Sequence, residues 1–269
     1  MSGRVIVTGA TGGIGAVVAR ELAAQGCDLV MACRNPGKAE ALREQILARM
    51  PQARIEVRPL DLGSLASVRT FAEGLGPEPV GALLNNAGVI SRGYSLTADG
   101  LENTFSVNYF GPFLLTQLLL PRMSPGAHVV NMVSLTCRFV RVDERSLRPA
   151  GEDFSQLGTY ARSKLALLHF SLELARRCPA LRVNLADPGV VNSGIITMGR
   201  WFDPLADVLF RPFIKSPEKG AVPPLSALAS EERDRYFVGR RSLKIPARYR
   251  DPELQHRLWN ETERLLAIR

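Results

Sequence analysis

Six short apolar runs recur along the first two thirds of the chain, at residues 4–7, 28–32, 54–60, 80–84, 127–133 and 181–186. They are rich in Val, Ile and Leu and lack the strict polar alternation of a strand with one wet face, so each is expected to be buried on both faces. Between them, residues 13–25, 38–49, 64–74, 99–122 and 159–177 carry helical periodicity with suitable caps. Strands that alternate with helices in this way predict a parallel sheet with crossover helices, a doubly wound α/β architecture. No Ser/Gly linker, internal repeat or low-complexity segment interrupts the alternation, so residues 1–269 read as a single domain. A last helical pattern, 254–268, carries Leu258, Trp259, Leu265 and Leu266, a stripe expected to dock on the sheet or on a partner subunit. Two stretches break the rhythm. Residues 136–158 form a polar insertion, and 190–216 hold aromatics and prolines in no clear period. Both follow strands, and ligands of open parallel sheets bind beyond the carboxyl ends of strands.

Composition narrows the class without naming it. With 46% hydrophobic and 22% charged residues in 269, the chain has ordinary globular proportions. No stretch approaches the ~18 uncharged apolar residues of a membrane span, and the first residues run straight into a strand, so a cytoplasmic location is expected. The four cysteines share no C-x-x-C or Cys/His spacing, so no metal site is expected and the thiols read as reduced. The net charge of +8 comes from arginines scattered along the chain. A nucleic-acid interface would gather them on one face, so no nucleic-acid partner is expected; an anionic small ligand or peripheral contact with anionic lipid fits as well.

Candidate chemistry lies at the strand ends. Thr8-Gly9-Ala10-Thr11-Gly12-Gly13-Ile14-Gly15 follows the first strand and opens the first helix, a turn whose backbone can approach a pyrophosphate at the helix N-terminus. The second strand runs into Cys33-Arg34-Asn35, with Lys38 beyond it. Where NAD-binding folds carry an acid for the ribose hydroxyls, this chain carries a guanidinium suited to a 2′-phosphate, which favours NADP. Asp61-Leu62 closes the third strand and Asn85-Asn86-Ala87-Gly88 the fourth. Tyr160 and Lys164 stand four apart on a helical pattern, on one face. With 5 Lys in the chain and five tyrosines, chance yields about 0.09 such pairs. An ammonium beside a phenol lowers its pKa and makes it a usable acid or base. Ser134 ends the fifth strand and Asn108 lies in the long helix before it. Singly, each has an ordinary structural reading: a tight connection, a loop charge, a strand end, a surface pair. Their order and placement together carry the argument.

In these marks the sequence resembles the short-chain dehydrogenase/reductase family across nearly its whole length, and within it the retinol dehydrogenase-like branch, through Arg34, the gap between Ser134 and Tyr160, and the run Pro188-Gly189-Val190-Val191. The resemblance implies a Rossmann-type sheet of about seven strands and a catalytic tetrad of Asn108, Ser134, Tyr160 and Lys164. It implies that Tyr160 protonates the carbonyl oxygen that Ser134 holds. Lys164 would bind the nicotinamide ribose and lower the Tyr160 pKa, and Asn108 would hold a relay water. NADP(H) would lie along Gly9, Thr11, Gly12, Gly13, Ile14, Gly15, Arg34, Asn35, Lys38, Asp61, Leu62, Asn86, Ala87 and Gly88. It would then reach Tyr160, Lys164, Pro188, Gly189, Val191 and Ser193. The family also suggests homodimers or homotetramers. The chain departs from the family pattern in lacking a doubled serine at Ser134, in carrying Ser193 for the usual Thr, and in placing Asp187 before Pro188.

Trp201, Phe202, Leu205, Val208, Leu209, Phe210, Phe213 and Ile214 crowd the 190–216 segment. They fit an apolar lid over a bulky carbonyl or alcohol such as a retinoid, steroid or aromatic ketone. Packed core or a dimer contact, and a basic amphipathic helix on a membrane surface, are the other readings. The expected activity is NADP-dependent hydride transfer between nicotinamide and a carbonyl or alcohol; the rival is a catalytically idle NADP-binding sensor or scaffold.

Overall fold

Five of the six apolar runs become inner strands of one sheet; the run at 54–60 forms its edge strand and, with no neighbour beyond it among the described residues, is only partly buried rather than covered on both faces. A computed structural model describes residues 3–191 and 215–268. Its strands are β1 (Arg4–Thr8), β2 (Asp28–Cys33), β3 (Arg54–Pro59), β4 (Val80–Asn85), β5 (Met123–Met132), β6 (Arg182–Asp187), β7 (Arg235–Val238) and β8 (Arg241–Lys244). They lie in the order β3-β2-β1-β4-β5-β6-β7-β8. All neighbours pair in parallel except β7 and β8, which are antiparallel. The order reverses direction between β1 and β4, the switch point at which a doubly wound sheet opens a crevice. Eight strands stand where about seven were expected. The last two are four residues each and carry Arg235, Arg241 and Lys244, too short and too charged to register as apolar runs.

Alternation within the strands feeds two separate cores. On β1, Ile6 packs with Leu83, Val129, Phe110 and Phe113 on one face of the sheet. Its neighbours Val5 and Val7 pack with Val18, Leu22, Met31 and Ala221 on the other. The second face is covered by α1 (Gly13–Ala24), α2 (Pro36–Leu47) and α7 (Pro217–Ala229). The α7 helix escapes a reading of periodicity because Pro223 and Pro224 stand inside it. The first face is covered by α3 (Leu65–Gly74), α4 (Asn103–Phe105), α5 (Gly111–Leu119), α6 (Gln156–Arg177) and α8 (Pro252–Leu265).

The single helix expected over 99–122 begins later and is divided. Its start is set by Glu102, whose carboxylate accepts the Phe105 N–H at 2.8 Å. Residues Ser106–Phe110 then form a π-helical turn before α5. Pro112 has no N–H, so the Asn108 carbonyl loses its α-helical donor, which accounts for the widened turn at that point. The turn is also tied down from outside, by a 2.7 Å hydrogen bond between Tyr109 Oη and Thr262 Oγ1 on α8.

The C-terminal stripe docks on helices of the same chain rather than on the sheet. The Phe113 ring of α5 lies 4.9 Å from both the Phe170 ring of α6 and the Trp259 ring of α8, and Arg177 lies 4.3 Å over Trp259. Phe113 has no solvent exposure. Phe113→Ala is expected to cost about 3–5 kcal/mol of folding stability through the cavity it leaves, read from the urea midpoint at unchanged m-value.

Candidate active site

The glycine-rich turn is shaped by close packing against the loop after β4. Gly9 has φ +65°, and a Cβ there would lie 2.9 Å from the Ala87 Cα. A Cβ on Gly15 would lie 2.2 Å from the Gly9 carbonyl oxygen and 2.8 Å from Asn86 Nδ2. Any side chain at either position would force the two loops apart. Thr8 and Asn86 lock them instead: Thr8 Oγ1 accepts the Asn86 and Ala87 N–H groups at 3.1 Å each, and Asn86 Nδ2 donates to the Thr8 carbonyl at 2.9 Å. Gly12 sits at the N-cap of α1 and offers no side-chain cap, which leaves the amides of the first turn for an external anion. A compact glycine cradle at an uncapped helix start fits the pyrophosphate of a dinucleotide.

These loops open one wall of a cavity of about 610 Å³. Along it lie Gly9, Thr11, Gly12, Gly13, Ile14, Gly15, Arg34, Asn35, Lys38, Asp61, Leu62, Asn86, Ala87 and Gly88, then Ser134, Tyr160, Lys164, Pro188, Gly189 and Val191. All but two of the residues expected at the site therefore meet in one space. Asn108 is buried behind the cavity and does not line it. Ser193, together with the aromatic residues of the expected lid between 192 and 214, lies outside the described residues.

At one end of the cavity Arg34 and Lys38 are exposed, and neither makes an ion pair among the described residues. Asn35 caps α2 by accepting the Lys38 N–H at 3.0 Å, which fixes where Lys38 leaves the helix. Asp61 Oδ1 accepts the Gly63 N–H at 2.9 Å.

At the other end, α6 brings Tyr160 and Lys164 to the carboxyl edge of β5. Lys164 is 4% exposed, and its Nζ donates to the Met132 carbonyl at 2.9 Å. Burial brings the ammonium pKa down to about 8. Tyr160 is pushed up to about 12: burial raises it most, the Ser134 hydroxyl opposes by hydrogen bonding, and Cys137 and Asp187 add to the rise. The expected depression of the phenol by Lys164 is not among the influences on Tyr160, and the ammonium is turned to a backbone carbonyl instead. Ser134 Oγ also accepts the Thr136 N–H at 3.3 Å and lies 3.0 Å from Thr136 Oγ1. Cys137, buried beside them, is pushed up to about 12 by burial and is a neutral thiol.

The Asn108 amide uses both of its hydrogens and accepts once. Its Oδ1 accepts the Val89 N–H at 2.8 Å, and its Nδ2 donates to the Val89 carbonyl and to Ser163 Oγ at 3.0 Å each. It thereby ties the loop after β4 to α6 one residue before Lys164. A second polar chain runs deeper, from Asn85 Nδ2 to Asn131 Oδ1 at 2.8 Å and from Asn131 Nδ2 to Ser171 Oγ at 2.7 Å. Sequence reasoning missed the apolar part of the wall: Val89, Ile90, Leu135, Leu157 and Val190. Leu157 and Val190 are 54% and 44% exposed, large apolar residues on an otherwise polar rim, but only the fold shows that they face the same opening.

The sequence matches the short chain dehydrogenase family over residues 4–199. The chain belongs to that family. Among short-chain dehydrogenases, retinol dehydrogenase 12 of Bos taurus is 37% identical over 276 residues, covering 98% of this chain and 86% of its own. A solved structure of an uncharacterized protein from Mycobacterium Paratuberculosis is 33% identical with a TM-score of 0.80, covering 98% of this chain and 93% of that one. A metagenomic short-chain oxidoreductase solved in complex with NADP is 26% identical with a TM-score of 0.60, covering 91% and 96%. As a retinol dehydrogenase-like member, this short-chain dehydrogenase is an oxidoreductase by family. No described helix is long and apolar enough to cross a membrane.

The buried lysine makes a stability test. Its folded-state pKa of about 8 lies below the usual 10.5. Between those values the unfolded chain holds a proton that the folded chain has released, so this group's contribution to stability rises with pH across that window and is least favourable below it. Lys164→Met is expected to stabilise the fold at pH 7 by on the order of 1–3 kcal/mol. The gain should shrink toward pH 10, as read from urea midpoints of the two proteins at each pH.

Proposed function

We propose that this protein is an NADP-dependent oxidoreductase that moves hydride between nicotinamide and a carbonyl or alcohol carbon of a bulky apolar substrate. The observation that carries the reading is the meeting of Ser134, Tyr160 and Lys164 at one end of a cavity whose other end is a glycine cradle with two unpaired cations. Bound NADP(H) supplies the hydride at nicotinamide C4. The chain's residues do the rest. Amides at the start of α1 hold the pyrophosphate, and Arg34 with Lys38 holds the 2′-phosphate. Asn35, Asp61 and Leu62 border the adenosine, and Asn86, Ala87 and Gly88 lie along the middle. Pro188, Gly189, Val191 and Ser193 receive the nicotinamide.

Lys164 holds the ribose hydroxyls, and Ser134 donates to the substrate oxygen. Tyr160, protonated at neutral pH with its pKa near 12, is the acid that delivers a proton to that oxygen in reduction. Both amide hydrogens of Asn108 are committed, and its backbone carbonyl, which Pro112 frees from α-helical bonding, is the acceptor that would hold the relay water. The apolar wall of Val89, Ile90, Leu135, Leu157 and Val190 suits a large hydrocarbon, in keeping with the name of the bovine relative. Residues 1–269 act as one domain, in which 190–216 would cover the substrate.

The test is oxidation of NADPH and NADH against retinal, steroid ketones, aromatic ketones and small aldehydes. Turnover is expected with NADPH and the bulky compounds. Tyr160→Phe is expected to lower kcat by about 10²–10⁴-fold while NADPH still binds. Arg34→Ala is expected to raise the KM for NADPH about tenfold and leave that for NADH unchanged. Tight NADPH binding with no turnover of any of these compounds, nor of the matching alcohols with NADP⁺, would instead favour an idle binding module.

A further inference from the structure

The carboxyl end of β6 carries a carboxylate engaged on both oxygens. Asp187 is 5% exposed. Its Oδ1 accepts the Gly189 N–H at 2.8 Å, and its Oδ2 accepts the Tyr236 hydroxyl of β7 at 2.7 Å. Gly189 has φ +73°, and Lys215 closes over it: a Cβ there would lie 2.8 Å from Lys215 Nζ, which donates to the Pro188 carbonyl at 3.3 Å. The turn is thus held by Asp187 from below and by Lys215 from above, while Pro188 and Gly189 face the cavity. Asp187 makes no ion pair among the described residues; its partners are neutral donors.

We infer that Asp187 is a positioning residue for the reaction: held by Tyr236 through one oxygen and by the Gly189 N–H through the other, it sets the Pro188-Gly189 turn that receives the nicotinamide. The inference rests on the reading of this cavity as the nicotinamide site. The Tyr236 hydroxyl is driven upward first by burial and then by Asp187, so it stays a donor to Asp187 Oδ2.

Two variants test the pinning. Asp187→Asn keeps an acceptor for Gly189 and can donate to the Tyr236 oxygen; Asp187→Ala removes both contacts. With folding checked by circular dichroism, hydrogen exchange at the Gly189 amide reports the turn without any cofactor. It is expected to quicken about tenfold or more in the Ala variant and stay within about twofold of native in the Asn variant. The NADPH Kd, from fluorescence titration, should follow the same split. Unchanged Gly189 exchange in the Ala variant would overturn the pinning, and so would an Asn variant that fails to restore native exchange and NADPH affinity. Failure of the native protein to bind NADPH or NADH would sink the functional reading on its own, and the exchange result would still decide whether Asp187 holds the turn.

Discussion

The site hangs from the parting of β1 and β4. Their following segments leave toward opposite faces of the sheet, so no helix can close the gap between the strand ends. Such a gap would splay if only backbone pairing held it. Thr8 and Asn86 cross it at the level of the last ladder bonds, and Gly9 and Gly15 let the loops sit in van der Waals contact above them. Each part of the cavity is placed with reference to that clamp. The amides of α1 start from it, Gly88 and Val89 continue from it, and Asn108 carries its position across to α6.

The end of the cavity lined by Ser134, Tyr160 and Lys164 is organised differently, by chains of uncharged polar groups and one buried lysine. Asn85, Asn131 and Ser171 link β4, β5 and α6, and Asn108 with Ser163 repeats the link one layer nearer the cavity. In a low-dielectric interior each such bond is stronger than in water, and here they lock the helix that carries Tyr160 and Lys164 to β4 and β5. Lys164 gains a single carbonyl for its burial. Its position is a strain on the fold that the fold tolerates at a functional site.

Local chemistry was legible in the sequence; chemistry set by register was not. Tyr160 and Lys164 declare themselves because a helix repeats every 3.6 residues, and the glycines of the first turn do so because their spacing follows an evident strand. The doubly wound sheet follows from the alternation of apolar runs and helical periods. Nothing local marks Tyr236 as the partner of Asp187, since the pairing depends on β7 lying beside β6 with Asp187 opposite Val238. Nor does periodicity reveal that Pro112 opens a π turn beneath Asn108, because the residue that loses its donor is four positions earlier than the one that withholds it. The apolar rim was hidden for the opposite reason: Leu157 and Val190 look like unremarkable surface residues until distant loops are brought together.

The docking of α8 also bears on how the molecule comes into being. Rings from α5 and α6 share their packing with Trp259, and the widened turn around Asn108 is tied to Thr262. Until those late residues emerge from the ribosome, Phe113 and Phe170 lack the indole that completes their packing, although the whole sheet has already been synthesised. The nascent chain therefore leaves one side of an aromatic cluster uncovered for as long as translation of its last segment takes, and the turn around Asn108 gains its tie to Thr262 only at the close.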